Sequence, residues 1–320
     1  MSEFPQNPRR LHSCITPGRP VLRAYLLLLV LLSFTACQTV QPQSVVSWRE
    51  AVQASKDQSR VTFEAVALLV RQSQLDRIEK LPAAQLKKIT EGDVASALPA
   101  RAVRQWNLAL DSMAAYAAAV ETLLSPDLPQ GVGDSLKRTG EQIGATANVD
   151  LLKSDKQLSE LIGTLGQQIV AASANRKARE VMLQVDPAIK QLTDQMADML
   201  YTTRPGTDEN GKPITQEAGV LPTVRTTWDD RITAVQEKFR DTTVGSERRA
   251  LAEQYADLLG QQAQSEEAIM ALRRGILDLG AAHTAAAQGR PADLRVLVAS
   301  IREDIALTSA IVDALKKDKK

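Results

Sequence analysis

Aromatic residues, cysteine and histidine are scarce in this sequence, and each shortage narrows what the chain can be. Phe, Trp and Tyr make up 3% of its 320 residues, whereas β-strands are enriched in aromatic and β-branched side chains. The abundance of Ala, Leu and Gln favours helices, so we predict an all-α fold. The 39 Lys and Arg residues are balanced by 38 Asp and Glu. This balance gives no reason to expect nucleic-acid binding.

Residues 1–36 have the pattern of a secretory signal peptide. Four arginines precede an apolar run at 24–34, which is followed by small residues. As a helix, this run would span about 17 Å, against about 30 Å of hydrocarbon in a bilayer. A permanent transmembrane helix is therefore the weaker interpretation.

Phe34, Thr35 and Ala36 place one apolar and two small residues directly before Cys37. This order resembles the lipobox of bacterial lipoproteins. The resemblance implies attachment of a diacylglycerol to the Cys37 thiol, cleavage before Cys37, and an N-acyl chain on the new amino terminus. Gln38 follows, which by the sorting rule of that family implies the outer membrane of a Gram-negative host rather than the inner membrane. The alternative is an ordinary signal peptide cut near Ala36, which leaves Cys37 as a free thiol.

Processing at Cys37 would determine both the location and the remaining chemistry of the chain. Three acyl chains anchor a protein stably, whereas one chain binds a bilayer only marginally. Cys14 and His12 leave with the signal, so Cys37 and His283 are the only cysteine and histidine that remain. An internal disulfide, a cysteine metal site and a multi-histidine metal site are excluded from the mature chain by these counts.

The rest of the chain is predicted to be a tether followed by two helical regions. Residues 37–43 form the lipidated tether, which is short enough to keep the body close to the membrane. An N-terminal helical region at 44–125 is separated by a Pro- and Gly-rich loop from a C-terminal helical bundle at 134–320. The two regions are either separate or packed as one domain. The predicted fold is an elongated antiparallel bundle with long, coiled-coil-like helices.

Apolar residues recur at alternating spacings of three and four, which defines a heptad seam in most of the predicted helices. In the helix that follows Ser246 the seam continues to His283 without interruption. For the first helix we predict a core face made of Val61, Ala65, Leu68, Leu75 and Ile78, which Phe63, Val66 and Val70 widen.

Two interruptions are expected in the second half of the chain. A long helix over 150–203 loses apolar character at Arg176 and Arg179, and Asp186 with Pro187 is expected to kink or restart it. After this helix, a polar stretch at 204–213 contains an Asn-Gly turn signal, which is compatible with a small hairpin.

His283 invites a role as a ligand or base, because it is the only histidine after the signal. Its place on the seam, in an Ala-rich run near a helix end, favours a partly buried histidine whose polar atoms are satisfied. A haem site that pairs His283 with Met196 is a weaker alternative, since there is no Cys-x-x-Cys-His motif for covalent attachment.

Other polar clusters carry weaker signals. Arg176, Lys177 and Arg179 are more typical of a solvated face than of a buried layer paired with Glu266 or Glu267. The acidic stretch at 208–210 lacks the spacing of a calcium loop. The glycines at 140, 144, 163 and 166 follow no predicted strand, so we interpret them as close helix crossings rather than phosphate loops.

Three classes of function remain open. We favour a lipid-anchored structural or interaction protein that faces the periplasm and binds an envelope protein partner. The alternative is a membrane-anchored bundle that binds or senses a small ligand between its helices. An enzyme that uses carboxylates alone is the third class. We expect no catalytic residues, no metal site and no cofactor other than the lipid at Cys37, because no nucleophile–base arrangement stands out in the sequence.

Overall fold

The structure is a computed structural model that describes residues 40–79, 100–125, 132–147, 156–175, 177–209 and 211–317. Its helices are α1 (Pro42–Glu79), α2 (Ala100–Leu123), α3 (Val132–Ala147), α4 (Lys156–Ala172), α5 (Ala178–Leu200), α6 (Val220–Asp241), α7 (Gly245–Ala287) and α8 (Pro291–Lys317). Two short strands, β1 (Thr202–Thr207) and β2 (Pro213–Ala218), lie between α5 and α6. The predicted all-α helical bundle is confirmed for this part of the chain. None of its helices combines the length and the apolar character needed to cross a membrane.

The central element of the bundle is α7, a helix of 43 residues that packs against α8, α5, α6 and α1. It runs antiparallel to α1, because Trp48 near the start of α1 meets Leu279 near the end of α7. At the other end, Leu69 of α1 and Leu258 of α7 line the same cavity. Both predicted helical regions contribute to one hydrophobic core.

The heptad seam predicted for α7 is largely confirmed by burial. Leu258, Ile269 and Ile276 are each at most 5% exposed, and His283 is fully buried. The seam predicted in α4 is fully buried from Leu158 to Ala172. These helices show the expected behaviour, since an apolar stripe at helical spacing is buried against neighbouring helices.

The core face predicted for α1 is only partly right. Phe63, Val66 and Val70 are buried as predicted, whereas Leu68 and Leu75 remain 45% and 43% exposed. The buried face has a seam that is polar in its middle, and its members are Val45, Trp48, Val52, Ser55, Ser59, Thr62, Val66 and Leu69. This seam keeps the three–four spacing, but hydroxyl groups occupy its middle positions. A search for apolar periodicity therefore finds only part of the buried face.

The single helix predicted over 150–203 is wrong. One helix, α4, ends at Ala172 and the next, α5, begins at Ala178, and these two helices pack against each other. Pro187 lies inside α5, so the helix does not restart there. The carbonyl that loses its helical donor is that of Leu183. Both Leu183 and Pro187 are exposed, so water can satisfy that carbonyl.

The predicted hairpin is confirmed, with a longer loop than an Asn-Gly turn would give. Thr202 pairs with Ala218 and Thr207 with Pro213, so residues 208–212 form the loop. Gly211 has φ +76°, which is a conformation that glycine adopts without strain.

The fold begins earlier than predicted. α1 starts at Pro42, and Val40 is only 5% exposed and belongs to the core. The predicted tether of 37–43 is therefore too long, because its last four residues belong to the folded body. Cys37 itself lies outside the described residues.

Glycines permit the close crossing of α3 and α4, as their sequence spacing suggested. A Cβ atom on Gly166 would lie 2.6 Å from the carbonyl oxygen of Gly140 and 2.7 Å from the amide nitrogen of Gly144. A Cβ atom on Gly140 would lie 2.7 Å from the carbonyl oxygen of Gly166. Only a residue without a side chain fits at this crossing.

We expect Gly166→Ala to lower the free energy of unfolding by about 1–3 kcal/mol, because the added methyl group forces α3 and α4 apart. Gly260→Ala in α7 is the matched control, since no atom lies within 4 Å of its Cβ position. There the better helix propensity of alanine should stabilise the protein by about 0.5–1 kcal/mol. Urea unfolding followed by circular dichroism measures both changes. Equal stabilisation by the two substitutions would contradict the close crossing.

Candidate functional site

His283 lies in the last two turns of α7 and is fully buried. Its Nδ1 atom is 2.7 Å from Oδ1 of Asp186 in α5, and its Nε2 atom is 3.3 Å from the hydroxyl of Tyr116 in α2. One imidazole thus joins three helices that are far apart in sequence. The prediction of a histidine with satisfied polar atoms is confirmed, and its burial is complete rather than partial.

Trp48 brings α1 into the same group of side chains. Its ring lies edge-on to His283, with centroids 4.9 Å apart, and edge-on to Tyr116 at 6.0 Å. The indole N–H donates to the carbonyl oxygen of Leu279 at 2.9 Å. We call Trp48, Tyr116, Asp186, His283 and Thr284 the His283 cluster.

Asp186 supplies the carboxylate of the His283 cluster. Burial alone would raise the pKa of this carboxyl, but the hydrogen bond and charge of His283 and the hydroxyl of Thr284 lower it below its ordinary value. Thr284 donates to the carboxylate, with its hydroxyl 2.9 and 3.1 Å from the two oxygens. Because a carboxylate only accepts, Nδ1 of His283 carries a proton and donates to it. In the neutral imidazole, Nε2 then accepts from the Tyr116 hydroxyl.

The order carboxylate, imidazole, hydroxyl is the order found in nucleophilic catalytic triads. The surroundings here oppose that chemistry. Tyr116 and His283 are both fully buried, so a substrate cannot reach the hydroxyl while the helices stay packed. Burial and the nearby Asp186 charge raise the Tyr116 pKa well above its ordinary value, which disfavours the phenolate nucleophile. The geometry is suited to holding α1, α2, α5 and α7 in one arrangement.

Both ring nitrogens of His283 are occupied by hydrogen bonds, to Asp186 and Tyr116. The haem hypothesis with Met196 is therefore not supported, because neither nitrogen is available to iron in this arrangement. Among the described residues, no group of three or more His, Cys, Asp or Glu side chains could hold a metal ion.

A second polar group lies in the buried seam of α1. The Gln58 amide donates to the Thr308 hydroxyl at 2.6 Å and to the Asp304 carbonyl oxygen at 3.1 Å, both in α8. The Ser59 hydroxyl accepts from the indole N–H of Trp106 at 2.8 Å. This layer links α1 to α8 through Gln58 and to α2 through Ser59.

The solvated face predicted for the basic cluster at 176–179 is confirmed for the residues that can be placed, and the alternative of a buried layer is wrong for them. Lys177 pairs with Glu180 at 3.0 Å, with both side chains largely exposed, and Arg179 is exposed. Glu266 instead pairs with Arg225, and Glu267 with Arg274. Arg176 lies outside the described residues.

The acidic stretch at 208–210 closes the hairpin loop. The Asp208 carboxylate accepts from the Lys212 amide at 2.8 Å, and the Asp208 carbonyl accepts from the Gly211 amide at 2.9 Å. Asn210 is not among the described residues. The Asp208 side chain therefore has a local structural role in the turn.

Two surface grooves accompany these buried groups. The first has a volume of about 540 Å³ and lies between α1, α6 and α7, where Leu68, Trp228 and Leu258 contribute apolar surface and Arg231 and Asp257 contribute charge. We call it the α1–α6–α7 groove.

The second groove, of about 630 Å³, lies between the first turns of α1 and the first half of α8. We call it the α1–α8 groove. It starts at Gln41, next to the residue where the fold begins.

Comparisons of the chain with protein-family models, with curated proteins and with solved structures give no match. The case for a function therefore depends on the sequence pattern and on the geometry described above.

Proposed function

We propose that this chain is a lipid-anchored helical protein of the bacterial envelope, which faces the periplasm from the outer membrane and binds a protein partner there. One observation supports the proposal most directly. The lipobox-like order that ends at Cys37 is followed almost at once by the folded body, whose first buried residue is Val40. Three Cα–Cα steps span at most about 11 Å. Lipid on Cys37 would therefore hold this end of the bundle against the bilayer.

The opposite end of the bundle offers the surface for a partner. Gly245, at the start of α7, is about 57 Å along the helix from His283. Residues 243–250 at the tip of the α6–α7 hairpin are all exposed, and Val244 is 50% exposed. We call this region the α6–α7 tip. An anchored bundle would present it away from the membrane.

We propose no catalytic role for the chain. The His283 cluster, which is the arrangement closest to a catalytic one among the described residues, is buried and is suited to stability. The mature chain would need no cofactor, and its covalent lipid would serve as an anchor.

The lipid anchor is tested by Cys37→Ala in a Gram-negative host. We expect the substitution to leave an uncleaved precursor that incorporates no labelled palmitate, whereas the wild type is labelled and fractionates with the outer membrane. The adjacent Thr39→Ala change is the control and should leave labelling intact. Equal palmitate incorporation by the Cys37→Ala variant would contradict the assignment, and so would wild-type protein found free in the soluble fraction.

Partner binding is tested by photo-cross-linking from position 244 in cells. A partner on the α6–α7 tip should give a discrete cross-linked product from this position and none from position 214, an exposed hydrophobic residue on β2. The absence of a product at 244, or equal products at both positions, would argue against a partner on this surface.

The alternative function is ligand binding in the α1–α6–α7 groove. This groove favours the alternative because it combines apolar walls with charged and amide side chains, as small-molecule sites do. If no partner is found and small molecules from the envelope raise the melting temperature of the wild type, this function is preferred. Leu68→Glu should then abolish the ligand-dependent rise.

A further inference from the structure

The α1–α8 groove lies at the end of the bundle where the chain enters the fold. Its walls come from Gln41, Ser44 and Ser47 of the chain entering and beginning α1, and from Leu294, Arg295 and Val298 of α8. Leu294 and Val298 are 3% and 5% exposed, so they form an apolar floor. Hydroxyl, amide and guanidinium groups surround that floor. A groove of this kind suits an amphipathic molecule with a polar head.

The available charge in the groove is positive. Arg295 forms no salt bridge within the described part of the chain. Arg302 lies 3.4 Å from Glu50, with both side chains more than half exposed, so this ion pair is weak. Glu303 also lines the groove and carries the opposite charge. An anion can therefore be bound by Arg295 without displacing a salt bridge, and by Arg302 at small cost.

The short stretch of chain between Cys37 and Gln41 indicates which surface the groove faces. Cys37 is at most about 11 Å from Val40, and Gln41, the next residue, lines the groove. This step rests on the proposed lipidation of Cys37. With the lipid inserted, the α1–α8 groove lies at the depth of the phospholipid headgroups.

We propose that the α1–α8 groove binds the phosphodiester headgroup of an anionic phospholipid in the membrane that anchors the chain. Arg295 and Arg302 contact the phosphate, and Ser44 and Ser47 offer hydroxyl donors. The contact orients the bundle on the bilayer, which the flexible lipid attachment alone does not do. The groove is thus an interaction surface in addition to the covalent anchor.

The test uses the chain from residue 37 onward with Cys37→Ser, which has no lipid; its core begins at Val40. We expect it to bind vesicles of phosphatidylglycerol and phosphatidylethanolamine, and to bind phosphatidylcholine vesicles much more weakly. The double change Arg295→Glu and Arg302→Glu should weaken binding to the anionic vesicles about tenfold, because two attractive charges become repulsive. Sedimentation with vesicles measures the partitioning.

The matched control is Arg240→Glu with Arg249→Glu, which makes the same change in net charge near the α6–α7 tip. It should leave vesicle binding unchanged. Circular dichroism establishes that each variant folds, and Arg295→Gln, a milder change, replaces the double variant if that fails to fold. The proposal would be overturned if the groove variant and the control variant lost vesicle binding equally. It would also be overturned if the chain with an unmodified groove did not bind anionic vesicles.

Two further outcomes distinguish a failure of the headgroup proposal from a failure of the proposed lipid anchor at Cys37. If the chain binds inorganic phosphate in the groove but does not bind vesicles, the site is assigned to a free anion. That result would contradict the headgroup proposal. Palmitate labelling at Cys37 is independent of the groove. A labelled chain whose groove binds no lipid would leave the anchor in place and remove only the present inference.

Discussion

Replacing Trp48 with alanine should lower the free energy of unfolding by about 3–5 kcal/mol, which is the usual cost of deleting a buried tryptophan. The indole is fully buried and contacts the rings of His283 and Tyr116. Its N–H also donates to the Leu279 carbonyl, so its loss removes both packing and a hydrogen bond. Chemical denaturation followed by circular dichroism at 222 nm gives the change.

A comparison of two tryptophans isolates the hydrogen bond. Trp228 is 2% exposed, and its indole N–H has no acceptor among the described residues. Trp228→Phe therefore loses no hydrogen bond, whereas Trp48→Phe loses one. We expect Trp48→Phe to be the more destabilising of the two by about 1 kcal/mol. A cost below about 1 kcal/mol for Trp48→Ala would show that this end of the bundle is not packed as described.

Asp186→Asn should lower stability at neutral pH by about 2–4 kcal/mol, because it removes the charged acceptor of a buried imidazole. In the wild type, burial alone would raise the pKa of Asp186. The hydrogen bond and charge of His283 and the hydroxyl of Thr284 lower this pKa by more, so the net shift is downward. A carboxyl with a lowered pKa in the folded state contributes stability above its unfolded pKa of about 3.9, and loses it as the pH falls through the lower folded value.

The pH dependence supplies the decisive measurement. The stability difference between the wild type and Asp186→Asn should be constant from pH 7 to about pH 5 and should shrink below about pH 4. Asp194→Asn, an exposed position on the same helix, is the control and should change stability by no more than about 0.5 kcal/mol at either pH. A difference between the wild type and Asp186→Asn that does not change with acidification would contradict the charged carboxylate in the cluster.

The sequence was informative where apolar residues alone form the seam. In α4 and α7 the three–four spacing predicts the buried face because each seam position is decided by the same force, the burial of apolar surface. In α1 the buried positions include Ser55, Ser59 and Thr62. The hydroxyls of Ser59 and Thr62 donate to carbonyl oxygens of their own helix, and Ser59 also accepts from Trp106 of α2. These positions keep the helical spacing, but they leave no apolar signal in the sequence.

The turn between α4 and α5 shows a different limit. The loss of apolar character at Arg176 and Arg179 marks the place where the chain reverses, and that signal was present in the sequence. Pro187 was the stronger local signal, yet it lies on the exposed side of α5, where a missing hydrogen bond has little consequence. The low helix propensity of a residue such as proline ends a helix only when its surroundings do not compensate for the lost hydrogen bond.

His283 was recognised from its position, but the other members of its cluster were not. Asp186 lies 97 residues away and Tyr116 lies 167 residues away in sequence. No spacing rule connects positions so far apart on different helices. A lone histidine and a carboxylate inside α5 could suggest the pair only after the antiparallel arrangement of α5 and α7 is known.

The hydrogen bonds between Gln58 and α8 also constrain when folding can finish. Gln58 and Thr308 are 250 residues apart, and a ribosome adds about 5–20 residues per second. The amide of Gln58 would thus wait roughly 12–50 seconds after its own synthesis before its acceptor exists. During that interval the first helix carries unsatisfied polar groups and an incomplete core. The chain is therefore expected to reach its native state only after translation ends, and to depend until then on whatever keeps nascent chains from aggregating.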